Sequence, residues 1–322
     1  MKVLIRQFMA LAGLTALETL RQPVFLLIST TSLVFIALLP LLITHTLGEA
    51  RNMVLDSALA LHFVCGVVLG SLAASATLSR EIRRGTAATI LCKPVNRGVF
   101  FLAKFSGIAA VMLLFSTAAC MATILSDRVA SNEYETDWWA LAPLLAAPLL
   151  AYAAAGIMNY LTRRPFSSAA FSWLAALVTG AFLFGAWVGP GGQTSSFGLN
   201  YAWKILPASL LVTMAILILA GIAVSLATRL DMIPNLSVCS LLFLLGLMSD
   251  YLLGRHAATS LLARLGYTLI PNLQHFWVSD ALHGGEAIPW HYVLQAGLYS
   301  ASYLAAMLMM GALMFRNMEV KA

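Results

Sequence analysis

The chain has 322 residues, 61% of them apolar and only 10% charged, with 19 basic and 13 acidic side chains and a formal net charge of +6. Soluble globular chains carry about 25% charged residues, and a mean hydropathy of +0.87 leaves too little polar surface to coat a particle in water. These figures exclude a soluble enzyme, a disordered tail and a disulfide-stapled secreted domain. They imply an all-α integral membrane protein, because apolar runs of about 20 residues cross a hydrocarbon core about 30 Å thick. A barrel needs short alternating strands, and the sequence has none.

The first element is a helix. Ile5, Met9, Ala12, Ala16 and Leu20 recur at helical spacing, while Gln7, Thr15, Glu18 and Gln22 fall largely elsewhere. That pattern predicts a loosely amphipathic interfacial helix over 1–22, with a mere extension of the first span as the plainer reading. Arg6, Gln7 and Glu18 interrupt the apolar stretch, which argues against a cleaved signal peptide. Pro23 marks a break before the first span.

Eight apolar stretches of spanning length follow, at about 23–44, 57–79, 105–126, 139–161, 167–189, 205–227, 234–254 and 291–314, and together they hold one charged side chain, Asp250. A charge at a span centre costs about 2.5–3.5 kcal/mol on insertion scales. The pairs 139–161/167–189 and 205–227/234–254 are joined by short links, which leaves one pair open to being a re-entrant hairpin. With the N-terminus inside, the inner segments hold fourteen of the 19 bases and the outer segments eight of the 13 acids. The positive-inside rule therefore places both termini in the cytoplasm. The acidic loop 127–137 reads as a solvated surface, and 255–290, too short for a soluble domain, as an outer loop. No basic run interleaved with aromatics marks a nucleic-acid surface.

Catalytic apparatus is sparse. There is no GxxxxGK[ST], GxSxG or HExxH, so the chain has no phosphate cradle of its own. Cys65, Cys92, Cys120 and Cys239 are too widely spaced for a disulfide or zinc framework. His275, His283 and His291 lie eight apart, but Gly284, Gly285 and Pro289 interrupt any shared helix. His62 reads as a hydrogen-bonded bundle residue. Asp250 is a candidate intramembrane polar site, with an interfacial position near Arg255 as its plainer reading. Small and polar residues at 71–76, 151–156 and Asn159 could line a path, but fit close helix packing better.

Residues 80–104 stand apart, with six bases and one acid. The second span can run on through Arg80–Arg84, and Gly85 can break it. Thr86–Leu91 suits a short transverse helix showing Ile90 and Leu91, which Lys93-Pro94 would stop. Asn96 is a candidate N-cap for the helix that leads to Lys104. Such a segment is either a docking element or a solvated basic loop that sets topology.

The segment resembles the loop after the second span in permease subunits of ABC-2-type ABC transporters. The residues that carry the likeness are Arg80-Glu81-Ile82, Thr86, Ile90-Leu91-Cys92-Lys93-Pro94-Val95-Asn96-Arg97 and Lys104-Phe105-Ser106-Gly107. Leu17-Glu18-Thr19-Leu20-Arg21, Pro271-Asn272-Leu273 and Phe315-Arg316-Asn317-Met318-Glu319-Val320 resemble the family's opening helix and the approach to, and exit from, its last span. Arg83 and Gly85 depart from the pattern, as do eight spans where six are usual. The resemblance implies a single membrane domain over 1–322 and a non-catalytic export subunit in a bacterial inner membrane. It further implies a separate ATPase subunit that binds the ATP, a second permease chain, and no cofactor or metal on this chain. Glu81, Arg83, Arg84, Thr86, Ile90, Leu91, Lys93, Pro94 and Arg97 would then form or flank the coupling helix. The competing expectations are a membrane-embedded lipid-modifying transferase using His275, Asp280, His283 and Glu286, and a scaffold without transport.

Overall fold

The computed structural model describes residues 2–43, 49–83, 96–132, 135–256, 260–283 and 287–316. Among these residues the regular structure is helical, apart from one isolated antiparallel bridge between Val188 and Thr194. The helices are α1 (Lys2–Leu20), α2 (Pro23–Leu42), α3 (Ala50–Arg83), α4 (Arg97–Ala130), α5 (Trp138–Thr162), α6 (Phe166–Trp187) and α7 (Ile205–Leu226), then α8 (Met232–Leu247), α9 (Ser249–Leu252), α10 (Leu261–Leu269), α11 (Ser279–His283) and α12 (Trp290–Arg316). By length and composition α2–α7 and α12 can each cross a membrane, and α8 with Ser249–His256 forms an eighth, bent segment. The protein is a multi-pass helical bundle.

The bend resolves which apolar pair is irregular. α5 and α6 have 25 and 22 residues, so 139–161 and 167–189 are two full helices. α8 has 16 residues, about 24 Å at 1.5 Å per residue, and the chain then turns by 73°. The returning Pro271–Leu273 segment accounts for the break. Leu273 N–H donates to the Gly246 carbonyl at 3.0 Å, and a Cβ at Gly246 would lie 2.7 Å from Leu273 Cγ. The described residues of 255–290 carry structure of their own: a 3₁₀ turn at Gly254–His256, α10, a second 3₁₀ turn and α11.

Cross-links identify two ends. At the basic end, Arg83 pairs with Asp231, Ser79 Oγ donates to Leu230 O, Arg97 Nη1 to Arg316 O and Ser167 Oγ to Arg21 O. At the far end, Lys204 Nζ donates to Leu282 O and His283 meets Asp56 at 2.9 Å. The helices alternate between these ends in chain order. α3, α4 and α7 form the centre, flanked by α2, α8 and α12, while the α5–α6 hairpin packs against α2 and α4. Gly66 and Gly70 admit Ile216 and Ala220 of α7 against the α3 backbone, a Cβ at Gly70 lying 3.3 Å from Ala220 Cβ. Small residues four apart allow such close approach.

The stripe predicted on α1 is not the whole of its inward face: Ala16 and Leu20 of the stripe pack against the core, Ile5 and Met9 are 57% and 65% exposed, as an interfacial helix allows, and Thr15 and Thr19 are fully buried. The threonine hydroxyls donate to Leu11 O and Thr15 O one turn back, which removes the penalty for burying them. Leu11, Ala16 and Leu20 pack inward. Nor is 127–137 simply a solvated surface. Asp127 and Asp137 are 1% and 8% exposed. Arg51 Nη2 holds Asp127 at 2.8 Å, and Arg128 Nε donates to Asp137 at 2.8 Å. Asp137 also caps α5, accepting from Trp139 N–H and Ala140 N–H, and Arg128 donates to Gly185 O. Tyr201 donates to Phe182 O at 2.5 Å, and burial pushes its phenol up to about 12 against the opposing pull of Arg128.

Removing one partner of a buried pair strands the other charge at a cost of about 3–5 kcal/mol, whereas an exposed pair contributes under about 1 kcal/mol. Both side chains of the Arg128–Asp137 pair are 5% exposed or less, against 50% or more for Arg83–Asp231. Arg128→Ala should therefore lower unfolding stability in detergent by about 3–5 kcal/mol. Arg83→Ala should change it by less than about 1 kcal/mol, as thermal unfolding of the two variants side by side would read.

Candidate functional site

The residues that frame 84–95 are held unusually firmly. α3 and α4 each have 34 residues, about 51 Å of helix against a hydrocarbon core of about 30 Å. Their surplus carries Glu81 and Arg83 on one side of the segment and Arg97 and Lys104 on the other. The predicted extension of the second span through 80–84 is present as far as Arg83. The predicted cap is present too, with Asn96 Oδ1 accepting from Gly98 N–H at 2.8 Å, and α4 runs unbroken from there into its apolar part. Arg84, Thr86, Ile90, Leu91, Lys93 and Pro94 lie outside the described residues, as do Gly85 and Cys92.

Lys104 is the centre of the frame. Its side chain is 1% exposed, yet its ammonium meets Glu81 Oε1 at 2.6 Å and Glu18 Oε2 at 3.1 Å. It also lies 5.7 Å from the centre of the Phe100 ring. A buried ammonium pays a desolvation penalty of several kcal/mol unless carboxylates meet it at good geometry. Three helices supply the set: α1 gives Glu18, α3 gives Glu81 and α4 gives Lys104. One turn further along α4, a Cβ at Gly107 would lie 2.7 Å from Thr15 Cβ and 3.0 Å from Ala16 N, hard against the Ala12 carbonyl. Only glycine lets the α1 backbone come that close, and the close crossing brings Glu18 to Lys104.

The frame extends across the basic end. Arg83 and Ser79 tie α3 to the α7–α8 turn through Asp231 and Leu230 O. Arg97 ties α4 to the end of α12. Above Glu81, α3 loosens into a π-helical turn at Ser75–Ser79, a form that recurs at functional positions. There the fully buried Asn235 of α8 donates to Ser75 Oγ at 2.9 Å and to Ala223 O at 3.1 Å. Ser71–Ser75 is accordingly helix-packing material, as its composition predicts. Asn235 went unnoticed in the sequence, where a lone amide near the start of an apolar run gives no signal of its partners.

Asp250 is not part of this frame. It sits just past the bend, exposed, and its Oδ1 accepts from Tyr267 OH at 2.7 Å and Asn272 Nδ2 at 2.8 Å. The Asp250 bond raises Tyr267 above its ordinary phenol value. Asn272 N–H also donates to Tyr299 OH at 3.0 Å. Asp250 thus clips α10 and the 270–273 return to α9, while Arg255 stacks over Tyr251. His62 departs from expectation: it is fully buried and neither ring nitrogen has a hydrogen-bond partner among the described residues. Its ring meets Phe115 edge-on at 5.9 Å, so the imidazole serves as an aromatic packing group. His283 pairs with Asp56 and His275 packs on Tyr299, and among the described residues no three metal-ligating side chains converge. Cys65, Cys120 and Cys239 are free thiols.

No protein-family model matches the chain, and no curated protein matches it in sequence.

Lys104→Ala would leave Glu18 and Glu81 facing each other without a cation. It should cost about 3–5 kcal/mol of unfolding stability. Gly107→Ala should cost about 1–3 kcal/mol by overpacking the α1 crossing. Thermal unfolding of the purified variants checks both, and an unchanged Gly107→Ala protein would mean that α1 is not seated on α4.

Proposed function

We propose that this chain is the permease subunit of an ATP-driven transporter of the ABC-2 type, an exporter whose ATP is bound and hydrolysed by a separate subunit docked at the loop 80–104. One observation carries the reading. Glu18, Glu81, Lys104 and Gly107, which come from three stretches of the resemblance, meet around the buried Lys104 ammonium at the ends of that loop. The resemblance was drawn from linear motifs, and nothing in linear spacing requires those motifs to touch.

The mechanics follow from the ties. A force on the loop 80–104 enters the bundle at Glu81 and at Lys104, and the ion pair makes α3 and α4 answer together. Glu18 carries the displacement to α1, Asp231 to the α7–α8 turn, and Arg316 to α12. A separate ATPase could thereby shift α1, α3, α4, the α7–α8 turn and α12 through one contact. On the positive-inside rule the basic end is the cytoplasmic face, where such a subunit would find ATP. A second permease chain, identical or related, would complete the pathway. The reading asks no catalysis of this chain and no cofactor beyond the partner's ATP.

The test is co-purification from native membranes in mild detergent, with bound proteins identified by mass spectrometry. The expected result is an ATP-binding subunit in stoichiometric amount, reduced at least about tenfold, or about 1.4 kcal/mol, by Lys93→Ala while insertion is unchanged. Recovery of the chain with no ATP-binding protein would overturn the permease reading, and full recovery with Lys93→Ala would overturn the placement of the docking segment.

A further inference from the structure

Where the end of α1 meets the α5–α6 hairpin, the basic end opens into a cavity of about 590 Å³. Leu17 and Leu20 of α1, Met158 of α5 and Trp173 of α6 wall it, and Arg21 and Arg164 line it as its two charged groups. Neither guanidinium has a carboxylate or hydrogen-bond partner among the described residues; the nearest acid on α1, Glu18, is engaged by Lys104. The cavity is within the range of small-molecule sites, about 300–1,000 Å³.

The backbone holds both arginines in place. Arg163 adopts φ 55° and ψ 23°, a left-handed conformation that L side chains seldom take. It is fixed because Asn159 accepts the Arg163 N–H at its carbonyl and donates from Nδ2 to Arg164 O at 2.6 Å. Ser167 Oγ then donates to Arg21 O at 2.8 Å, binding the elbow that carries Arg21 to the turn that carries Arg164. α6 begins at Phe166 with no side-chain cap and no acid in its first turn, so its N-terminus adds partial positive charge beside Arg164. From there the lining runs along α6 to Trp173 and Ala176, about 15 Å from the charged mouth towards the apolar middle of the span.

From this geometry we infer that the cavity is a binding site for an anionic phospholipid. The phosphodiester lies between Arg21 and Arg164, and the upper part of one acyl chain lies along Leu17, Leu20 and Trp173. Charge at the mouth, apolar wall beyond it and a position at the ends of two spans fit a head group with a tail. Basic pockets between transmembrane helices recognise lipid head groups in this way. The bound lipid would brace α1, and with it Glu18, against the α5–α6 hairpin. The site stands on its own geometry and does not depend on the transport reading.

The experiment uses the full chain, delipidated in detergent, titrated with phosphatidylglycerol, with phosphatidylcholine of the same acyl chains, and with glycerol 3-phosphate. Binding is read by native mass spectrometry. Phosphatidylglycerol should bind at least about tenfold more tightly than phosphatidylcholine. Arg21→Gln and Arg164→Gln should each weaken it about fivefold, and the pair about 25-fold. Arg21→Lys should retain most of the affinity, which separates loss of charge from misfolding, and Trp173→Ala should weaken binding of the anionic lipid. Equal binding of the two lipids would overturn the inference. So would an unaffected double variant, displacement of the lipid by glycerol 3-phosphate, or a lipid-free dimer that excludes lipid from the cavity.

Discussion

A lysine ammonium sealed from solvent carries a desolvation penalty of several kcal/mol unless carboxylates reach it, and the basic end of this protein is arranged around that requirement. Lys104 is 1% exposed, and the carboxylates that reach it stand on two other helices. The close crossing at Gly107 sets α1 near enough for Glu18, and the extension of α3 beyond its apolar part sets Glu81. Remove either and the remaining groups face a desolvation cost of several kcal/mol. The elements that border 84–95 are therefore coupled by electrostatics in a low-dielectric setting, where such coupling is strongest.

The same demand shapes the rest of the bundle. Inside a membrane protein every buried polar group needs a partner within the protein. At the far end Arg128 and Asp137 neutralise each other where α4, α5 and α6 meet. Within the bundle, serine and threonine hydroxyls return to their own helix, as Ser71, Thr123 and Thr213 do, and Asn235 links α8 to α3 and α7. His62 is retained by ring packing instead of hydrogen bonds. Association between the central helices rests on small residues such as Gly66 and Gly70, because lipid offers no hydrophobic drive to bring apolar faces together.

How much of this was legible in the sequence differs by the kind of signal. The spans were legible because exclusion of charge is a long-range compositional constraint; the helix from Asn96 into the third span was legible because a cap has a local signature. The break in α8 was not, since Gly246 acts through Leu273, a residue 27 positions later. The inward side of α1 was only partly legible, because hydrophobicity marks Ala16 and Leu20 but not Thr15 and Thr19. Thr15 and Thr19 satisfy their hydroxyls within the helix and can lie inward, while Ile5 and Met9 can face apolar surroundings. The loop 127–137 looked solvated because two acids there pair with arginines, one of them from another helix. The triad stood in the sequence as a lone base at the edge of an apolar run, and motif likeness pointed near it without showing that its members touch.

If the joint at Lys104 couples the helices as described, its energetics are cooperative. The most direct measurement is a double-mutant cycle on Glu81→Gln and Lys104→Met, read as unfolding free energy in one detergent. The account requires a coupling of about 1–3 kcal/mol between the two changes. Effects that add to within about 0.5 kcal/mol would show that the two residues are neighbours without a shared role, and would contradict it.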